Sequence, residues 1–195
     1  MIVGVCASGR RDGNSARLLA EALAGAAEVS SERQTRFELA QLSFRGCLGC
    51  GTCRAESETC ITRDELTPAL DATATAGALA LAAPIYYGYP SGLFKSYLDR
   101  WYCFKRADRT LRVREGRPAL LILTQAASDP NAYAWTAQSL EKVLAGYGFR
   151  PSILVAAGVH ACGDAGARPE LLAEVRRLGS ALAAATPSAS SSGVR

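Results

Sequence analysis

Short apolar runs and helix-spaced apolar positions alternate along this chain. Ile2 to Ala7 is a short apolar run of strand length. After it, Leu18, Leu19, Ala22, Leu23 and Ala26 share one helix face, with Arg17 and Glu21 opposite. Phe37 to Leu42 alternates as a second strand. Leu66 to Ala76 predicts a helix, with Asp64 as its cap and Pro68 in its first turn. Ala78 to Ile85 is a third strand and Ser91 to Phe104 a helix. Ala119 to Thr124 is a fourth strand, Ala132 to Tyr147 a helix stopped by Gly148, and Ile153 to Ala157 a fifth strand. Leu171, Val175, Leu178 and Leu182, spaced i, i+4, i+7 and i+11, mark a last helix.

Five strands interleaved with helices predict an α/β fold built on a doubly wound parallel sheet. The strands are near-continuous apolar runs, as expected when helices cover both faces. The 195 residues suit one domain, over 1–185, and the Ser/Ala-rich stretch 186–195 reads as a disordered tail. There is no internal repeat. In such sheets ligands sit beyond the carboxyl ends of the strands, so the strand-to-helix loops are where function is expected.

Composition narrows the classes. The chain is 49% hydrophobic and 21% charged, enough apolar material for a core without staples. The net charge of +4 comes from scattered basic residues, with no block of about five like charges, so no nucleic-acid surface is expected. No run of about 20 apolar residues predicts a membrane span. The first residues read as a strand and not a signal peptide, which predicts a cytoplasmic protein. In that compartment seven cysteines point to metal or redox chemistry and not to a disulfide framework.

Four loops carry candidate chemistry. Ser8 to Ser15 joins the first strand to the first helix. It lacks the Gly-Lys-Ser/Thr ending of a P-loop and the spaced glycines of a dinucleotide fingerprint. It does have Ser8, Arg10, Arg11 and an Asn14-Ser15 pair at a helix N-terminus, where free N–H groups and the dipole favour a phosphate. Asn14 also suits an N-cap. Pro84, Ile85, Tyr86, Tyr87 and Gly88 follow the third strand and mix aromatic and small residues in a way that suits a planar apolar ring. Thr124 and Gln125 follow the fourth strand. His160, the single histidine, follows the fifth, where a lone histidine is more often structural than catalytic.

A fifth candidate is a cysteine cluster in a loop insertion at about residues 46–62. Cys47, Cys50, Cys53 and Cys60 are separated by spacers of two, two and six residues. Two-residue spacers let thiolates converge on one small centre. Four such thiolates match a [4Fe–4S] cluster. A zinc site with four cysteine ligands is an alternative, although zinc folds usually separate two Cys pairs by a longer loop. A redox dithiol or disulfide is another, since each Cys-x-x-Cys can close one. Cys6 reads as a small buried apolar residue, and Cys103 and Cys162 as loop thiols.

Ser-x-Arg-x-x-Gly-Asn-Ser after a first strand resembles the phosphate loop of the NAD(P)H-dependent FMN reductase group of the flavodoxin-like superfamily, with Gly9 where the group usually has Pro. The stretch Pro84 to Arg100 resembles the same group's Pro-x-Tyr-x-x-x-x-Ser-Gly-x-x-Lys-x-x-x-Asp-Arg pattern. The compact cysteines between the second and third strands are similar to those of its iron–sulfur flavoproteins. The resemblance runs from Ile2 to about Ala184.

It implies a flavodoxin-like five-stranded sheet of order 2-1-3-4-5, and FMN held by Ser8, Arg10, Asn14 and Ser15 at the phosphate. Pro84 to Gly88, Thr124, Gln125 and His160 would lie near the ring. Cys47, Cys50, Cys53 and Cys60 would ligate a [4Fe–4S] cluster. Lys95, Asp99 and Arg100 would shape their helix and a subunit contact in a homodimer or homotetramer. The implied activity is an FMN oxidoreductase that takes electrons from NAD(P)H and passes them to a cluster, a quinone or another acceptor. A clusterless enzyme using the Cys-x-x-Cys pairs as a relay, and a zinc-stabilised non-redox binding module, are the alternatives.

Overall fold

The computed structural model describes residues 1–186. Five parallel strands form its sheet: β1 (Ile2–Cys6), β2 (Gln34–Glu38), β3 (Ala78–Tyr86), β4 (Arg117–Thr124) and β5 (Phe149–Ala156). Their order is β2-β1-β3-β4-β5, the predicted doubly wound arrangement. Ile2 lies opposite both Gln34 and Ala78, and Leu79 opposite Ala119, so the carboxyl ends finish along one edge. A two-residue piece, Tyr89–Pro90, turns back antiparallel on the end of β3.

Alternation along β3 decides what covers each face. Leu79, Leu81 and Ala83 face the helices α3 (Thr67–Thr75), α4 (Gly92–Arg100) and α5 (Ala134–Gly146). Ala78, Ala80 and Ala82 face α1 (Asn14–Val29) and α6 (Pro169–Ala184). The small residues on the second face leave room for α1 and α6 to pack tightly on the sheet and on each other. There Gly25 lies under the Arg176 carbonyl and Gly179 under that of Ala22, with no room for a Cβ at either. The Ser180 hydroxyl donates to the Gly25 carbonyl at 2.9 Å, and Arg176 pairs with Glu21 and Glu28.

Several boundaries differ from the sequence reading. The fifth strand begins at Phe149 and not at Ile153, because the edge residues Arg150, Pro151 and Ser152 pair with β4 without an apolar pattern. The second strand starts and ends earlier than Phe37–Leu42, and Leu39–Gln41 is a short 3-10 turn instead. β2 is a half-buried edge strand whose polar Gln34, Thr35 and Arg36 still pair with β1, so apolar alternation marks it poorly. The helix expected over Ser91–Phe104 is α-helical only to Arg100, and Trp101–Phe104 is 3-10. Trp101, Cys103 and Phe104 are all buried, and on an α-helix Cys103, two positions from Trp101, would point to the opposite side. A one-turn helix, α2 (Thr52–Ala55), lies inside the cysteine loop, where no helix was expected. The tail reading falls outside the described residues from Pro187 onward.

One buried cation stabilises the lower end of the sheet. Arg117 donates to the carbonyls of Thr73, Ala74 and Ala76 at 3.0, 3.1 and 2.9 Å, closing the C-terminus of α3. Its guanidinium sits 4.4 Å from the centre of the Phe149 ring. Burial, then the Arg114 charge, lowers its pKa to about 10. Arg117→Met is expected to leave these carbonyls unpaired and cost about 2–3 kcal/mol, read from the midpoint of urea unfolding.

Among the described residues, no helix is long and apolar enough to cross a membrane.

Candidate functional site

The loop 8–15 leaves β1 at the carboxyl edge and enters α1. Ser8 folds it: its hydroxyl donates to the Arg10 carbonyl at 3.2 Å and accepts from the Arg10 N–H at 3.1 Å. Gly13, not Asn14, holds the N-cap position, and it makes no side-chain cap bond. Asn14 reaches across the site instead. Its amide donates to the Ala161 carbonyl at 3.0 Å and accepts from the Ala165 N–H at 3.0 Å. The first N–H groups of α1 therefore have no capping oxygen, which leaves them for an anion.

The last strand-to-helix loop is tied to the first. Arg10 donates to the His160 carbonyl at 3.1 Å, and the Cys162 thiol donates to the Asp12 carbonyl at 2.7 Å. The Asp164 carboxylate accepts from the N–H groups of His160 and Ala161 at 2.8 and 2.7 Å, and these two bonds hold it below the usual carboxylate range. Ser15 and Thr124 share a buried hydroxyl–hydroxyl bond of 2.8 Å beneath the loop.

Together these loops wall a cleft of about 410 Å³. Of the twelve residues predicted to hold a flavin, eleven line it: Ser8, Arg10, Asn14, Ser15, Pro84, Ile85, Tyr86, Tyr87, Thr124, Gln125 and His160. Gly88 is set back at the hairpin turn, where its carbonyl accepts from the Thr136 hydroxyl. The sequence reading did not include Gly13, Ala126, Ala127, Tyr133 and Val159, which also line the cleft. Tyr133 arrives from the segment before α5, and the aromatic ring beside the Asp129-Pro130-Asn131 turn was the available signal.

Two features suit this cleft to a phosphate-bearing planar cofactor. The Gln125 side chain donates to the Asp129 carbonyl at 2.7 Å, yet its buried Oε1 has no partner among the described residues. An unmet buried acceptor in a ligand cleft is a place for a ligand N–H. At the mouth, Tyr87 has φ +52° and Gly88 φ +85°, the left-handed pair of a two-residue hairpin between Tyr86 and Tyr89. The turn leaves Tyr87 fully exposed at the rim, at a backbone cost of about 1–3 kcal/mol for a non-glycine residue.

The cysteine loop lies on the α3/α4 side. Cys47 and Cys50 are exposed, Cys60 is half-buried and Cys53 is buried. The N–H and hydroxyl of Thr52 hold the Cys50 thiol below its ordinary pKa. Burial, and then the charges of Cys60, Cys47 and Cys50, push Cys53 up. Cys53 thus lies within electrostatic reach of the other three thiols, and the donor set has the chemistry of an iron–sulfur centre. Among the described residues, no three of His, Cys, Asp or Glu are gathered so as to hold an ion, so the geometry of such a centre is not formed. Cys103 is buried beneath the loop, where burial and then the Cys60 and Cys53 charges raise its pKa to about 12. Cys6 is buried, as expected, and burial likewise raises it to about 12.

The residues carried over on Lys95, Asp99 and Arg100 divide. Lys95 and Asp99 form an exposed i,i+4 pair at 2.6 Å. Arg100 is fully buried in its own chain, so it offers nothing to a neighbouring subunit. It donates to the carbonyls of Arg45 and Thr62 at 3.0 and 2.7 Å and to Asp64 at 2.9 Å. Burial opposes the Asp64 charge, but Arg100 and the N–H groups of Arg45 and Leu66 outweigh it and lower the Asp64 pKa. Asp64 is therefore less a helix cap than half of a buried ion pair, though its carboxylate also accepts from the Leu66 N–H at 3.2 Å.

A doubly wound sheet with an uncapped helix N-terminus and an aromatic-rimmed cleft at its carboxyl edge has the architecture of the α/β proteins that hold phosphate-bearing cofactors. The chain belongs to the NADPH-dependent FMN reductase family, whose model matches residues 1–161. It is 32% identical over 98 residues to an iron–sulfur flavoprotein of Archaeoglobus fulgidus, covering 50% of this chain and 44% of that one. It is 31% identical over 99 residues to one from Methanocaldococcus jannaschii, covering 51% and 50%. The matches thus span about half the length of these curated relatives. Among solved structures, it resembles an NAD(P)H:quinone oxidoreductase from Methanothermobacter marburgensis (TM-score 0.70, 20% identity, 93% of this chain and 96% of that one). An NADH:FMN oxidoreductase in its apo form gives a TM-score of 0.69 at 20% identity, covering 97% and 91%. At these identities the structures establish the shared fold.

Proposed function

We propose that the chain is an FMN-dependent oxidoreductase driven by NAD(P)H. The observation that carries this is the single cleft uniting the 8–15 loop with Pro84–Tyr87, Thr124, the unpartnered Gln125 Oε1 and His160. FMN supplies two-electron chemistry when bound. The protein's own part is to bind and orient. The free N–H groups of α1 suit the phosphate, the Ser8 hydroxyl shapes the loop through Arg10, and the Ser15 hydroxyl can donate to the phosphate when it accepts from Thr124. Pro84 to Tyr87 and Tyr133 offer apolar surface to the ring, and Gln125 offers it an acceptor. Thr124, locked to Ser15, keeps the first and fourth loops in register. The reductant docks over the exposed rim at Tyr86 and Tyr87. No proton-transferring side chain is required for hydride transfer, and none is assigned. The same exposed aromatics, with Tyr89 and Trp135, support a homodimer or homotetramer as the working unit.

For the cysteine loop, the names of the relatives and the four-thiol donor set support Cys47, Cys50, Cys53 and Cys60 as the residues that would hold a [4Fe–4S] cluster, which would supply one-electron transfer there. A clusterless thiol relay is the second reading, favoured by the exposed Cys47 and Cys50 and the lowered Cys50 pKa. The absorption spectrum and metal content of protein purified without oxygen decide among them. The expected result is flavin bands, a broad thiolate–iron shoulder near roughly 400 nm and about four irons per chain. Flavin bands with titratable thiols and no iron would support the relay. A colourless, zinc-containing protein would overturn both and leave a binding module.

A further inference from the structure

Two arginines grip the cysteine loop from outside it. Arg100 closes its neck, because the carbonyls it binds, Arg45 and Thr62, precede Cys47 and follow Cys60. Arg112 pins its centre. One nitrogen of its guanidinium donates to the carbonyl of Cys53 at 2.7 Å and to those of Cys103 and Lys105 at 2.9 and 3.2 Å. Cys53 is therefore gripped at its own carbonyl and Cys60 lies two residues from the gripped Thr62, while Cys47 and Cys50 lie in the exposed stretch between Arg45 and Cys53.

The grip leaves something over. The Nε–H groups of both arginines are buried and have no partner among the described residues. Both side chains line one cavity of about 240 Å³, and Cys60 and Cys103 line it too. A buried guanidinium N–H without an acceptor is costly, and two of them beside a thiol are donors waiting for an anionic acceptor.

We propose that Arg100 and Arg112 are positioning residues for the cysteine loop, fixing Cys53 and Cys60 as a preformed half-site and supplying N–H donors to the sulfur held there. This rests on the reading of Cys47 to Cys60 as the ligands of an iron–sulfur centre. Folding has then already met the entropy of closing the loop's neck, and only Cys47 and Cys50 move to complete the set. Hydrogen bonds to cluster sulfurs help set its reduction potential, so the same arginines bear on the chemistry and not only on the shape. Lysine cannot substitute at Arg100, where two nitrogens of the planar fork reach Arg45, Asp64 and Thr62. At Arg112, where one nitrogen makes all three carbonyl bonds, lysine lacks the Nε–H donor.

The test uses Arg112→Gln, Arg112→Lys and Arg100→Lys in the full chain. The half-buried Arg112 provides variants that fold even if those at the fully buried Arg100 do not. Iron and sulfide content of the anaerobically reconstituted wild type is measured first. An iron-free wild type overturns the cluster reading alone, and the grip is then judged on iron-free protein by iodoacetamide labelling and mass spectrometry. Labelling of Cys53 and Cys60, relative to Cys162 in the same sample, is expected to rise about tenfold in the variants as the loop opens locally. In iron-loaded protein the reduction equilibrium of the cluster is expected to shift about tenfold toward the oxidised form, about 59 mV for a one-electron couple. Labelling and potential both equal to wild type overturn the proposal. Faster labelling with an unmoved potential overturns the sulfur-donor role and reduces the arginines to a structural grip.

Discussion

Gly179→Ala is expected to destabilise the protein by about 3 kcal/mol or more, read from the midpoint of urea or thermal unfolding. Two effects oppose each other. Alanine is favoured over glycine inside a helix by about 1 kcal/mol. Against that, a Cβ at Gly179 would overlap the backbone carbonyl of Ala22, and one at Gly25 the carbonyl of Arg176. Backbone cannot swing aside as a side chain can, so the overlap is relieved only by prising α1 from α6. That separation also disturbs Ser180 against Gly25 and Arg176 against Glu21. An unchanged midpoint in Gly179→Ala would show that the helix pair is looser than described.

Gly13→Val is expected to weaken FMN binding at least about a hundredfold, about 2.8 kcal/mol. Gly13 has φ −74° and ψ 164°, so valine meets no backbone strain. The obstacle is space: a Cβ there would stand 2.9 Å from the Ser8 hydroxyl, 3.1 Å from the Arg10 Cβ and 3.2 Å from the Arg10 carbonyl. The loop must open at the position where the phosphate is proposed to sit, while the fold around it stays. Flavin release measured by fluorescence, with circular dichroism as the control for folding, checks this. Undiminished flavin content would move the proposed phosphate site away from the 8–15 loop.

The sheet was legible because its central strands, β1, β3 and β4, are buried on both faces and read as continuous apolar runs, and the helix faces of α1 and α6 are strictly spaced. β2 was misplaced because an edge strand keeps its pairing with polar residues. The cleft was legible where its residues are sequential, in 8–15 and 84–88. Tyr133 was missed because its contribution depends on where α5 starts in space. Asn14 illustrates a different limit. Sequence shows a residue able to cap a helix, but not that its amide finds two partners about 150 positions away. Arg100 is the sharpest case. An arginine beside an aspartate at a helix end reads as surface, and nothing local reveals that three acceptors will draw it fully inside.

The tethers from residues 10–14 to residues 160–165 bear on synthesis as well as on shape. β1 and its loop are made about 150 residues earlier, yet Arg10, Asp12 and Asn14 find their partners only after His160 to Ala165 have been made. Until then the 8–15 loop lacks the struts that fix its shape at the proposed phosphate site. Capture of flavin at the proposed site is then expected to come late, and nascent chains stalled before residue 160 are expected to retain no flavin.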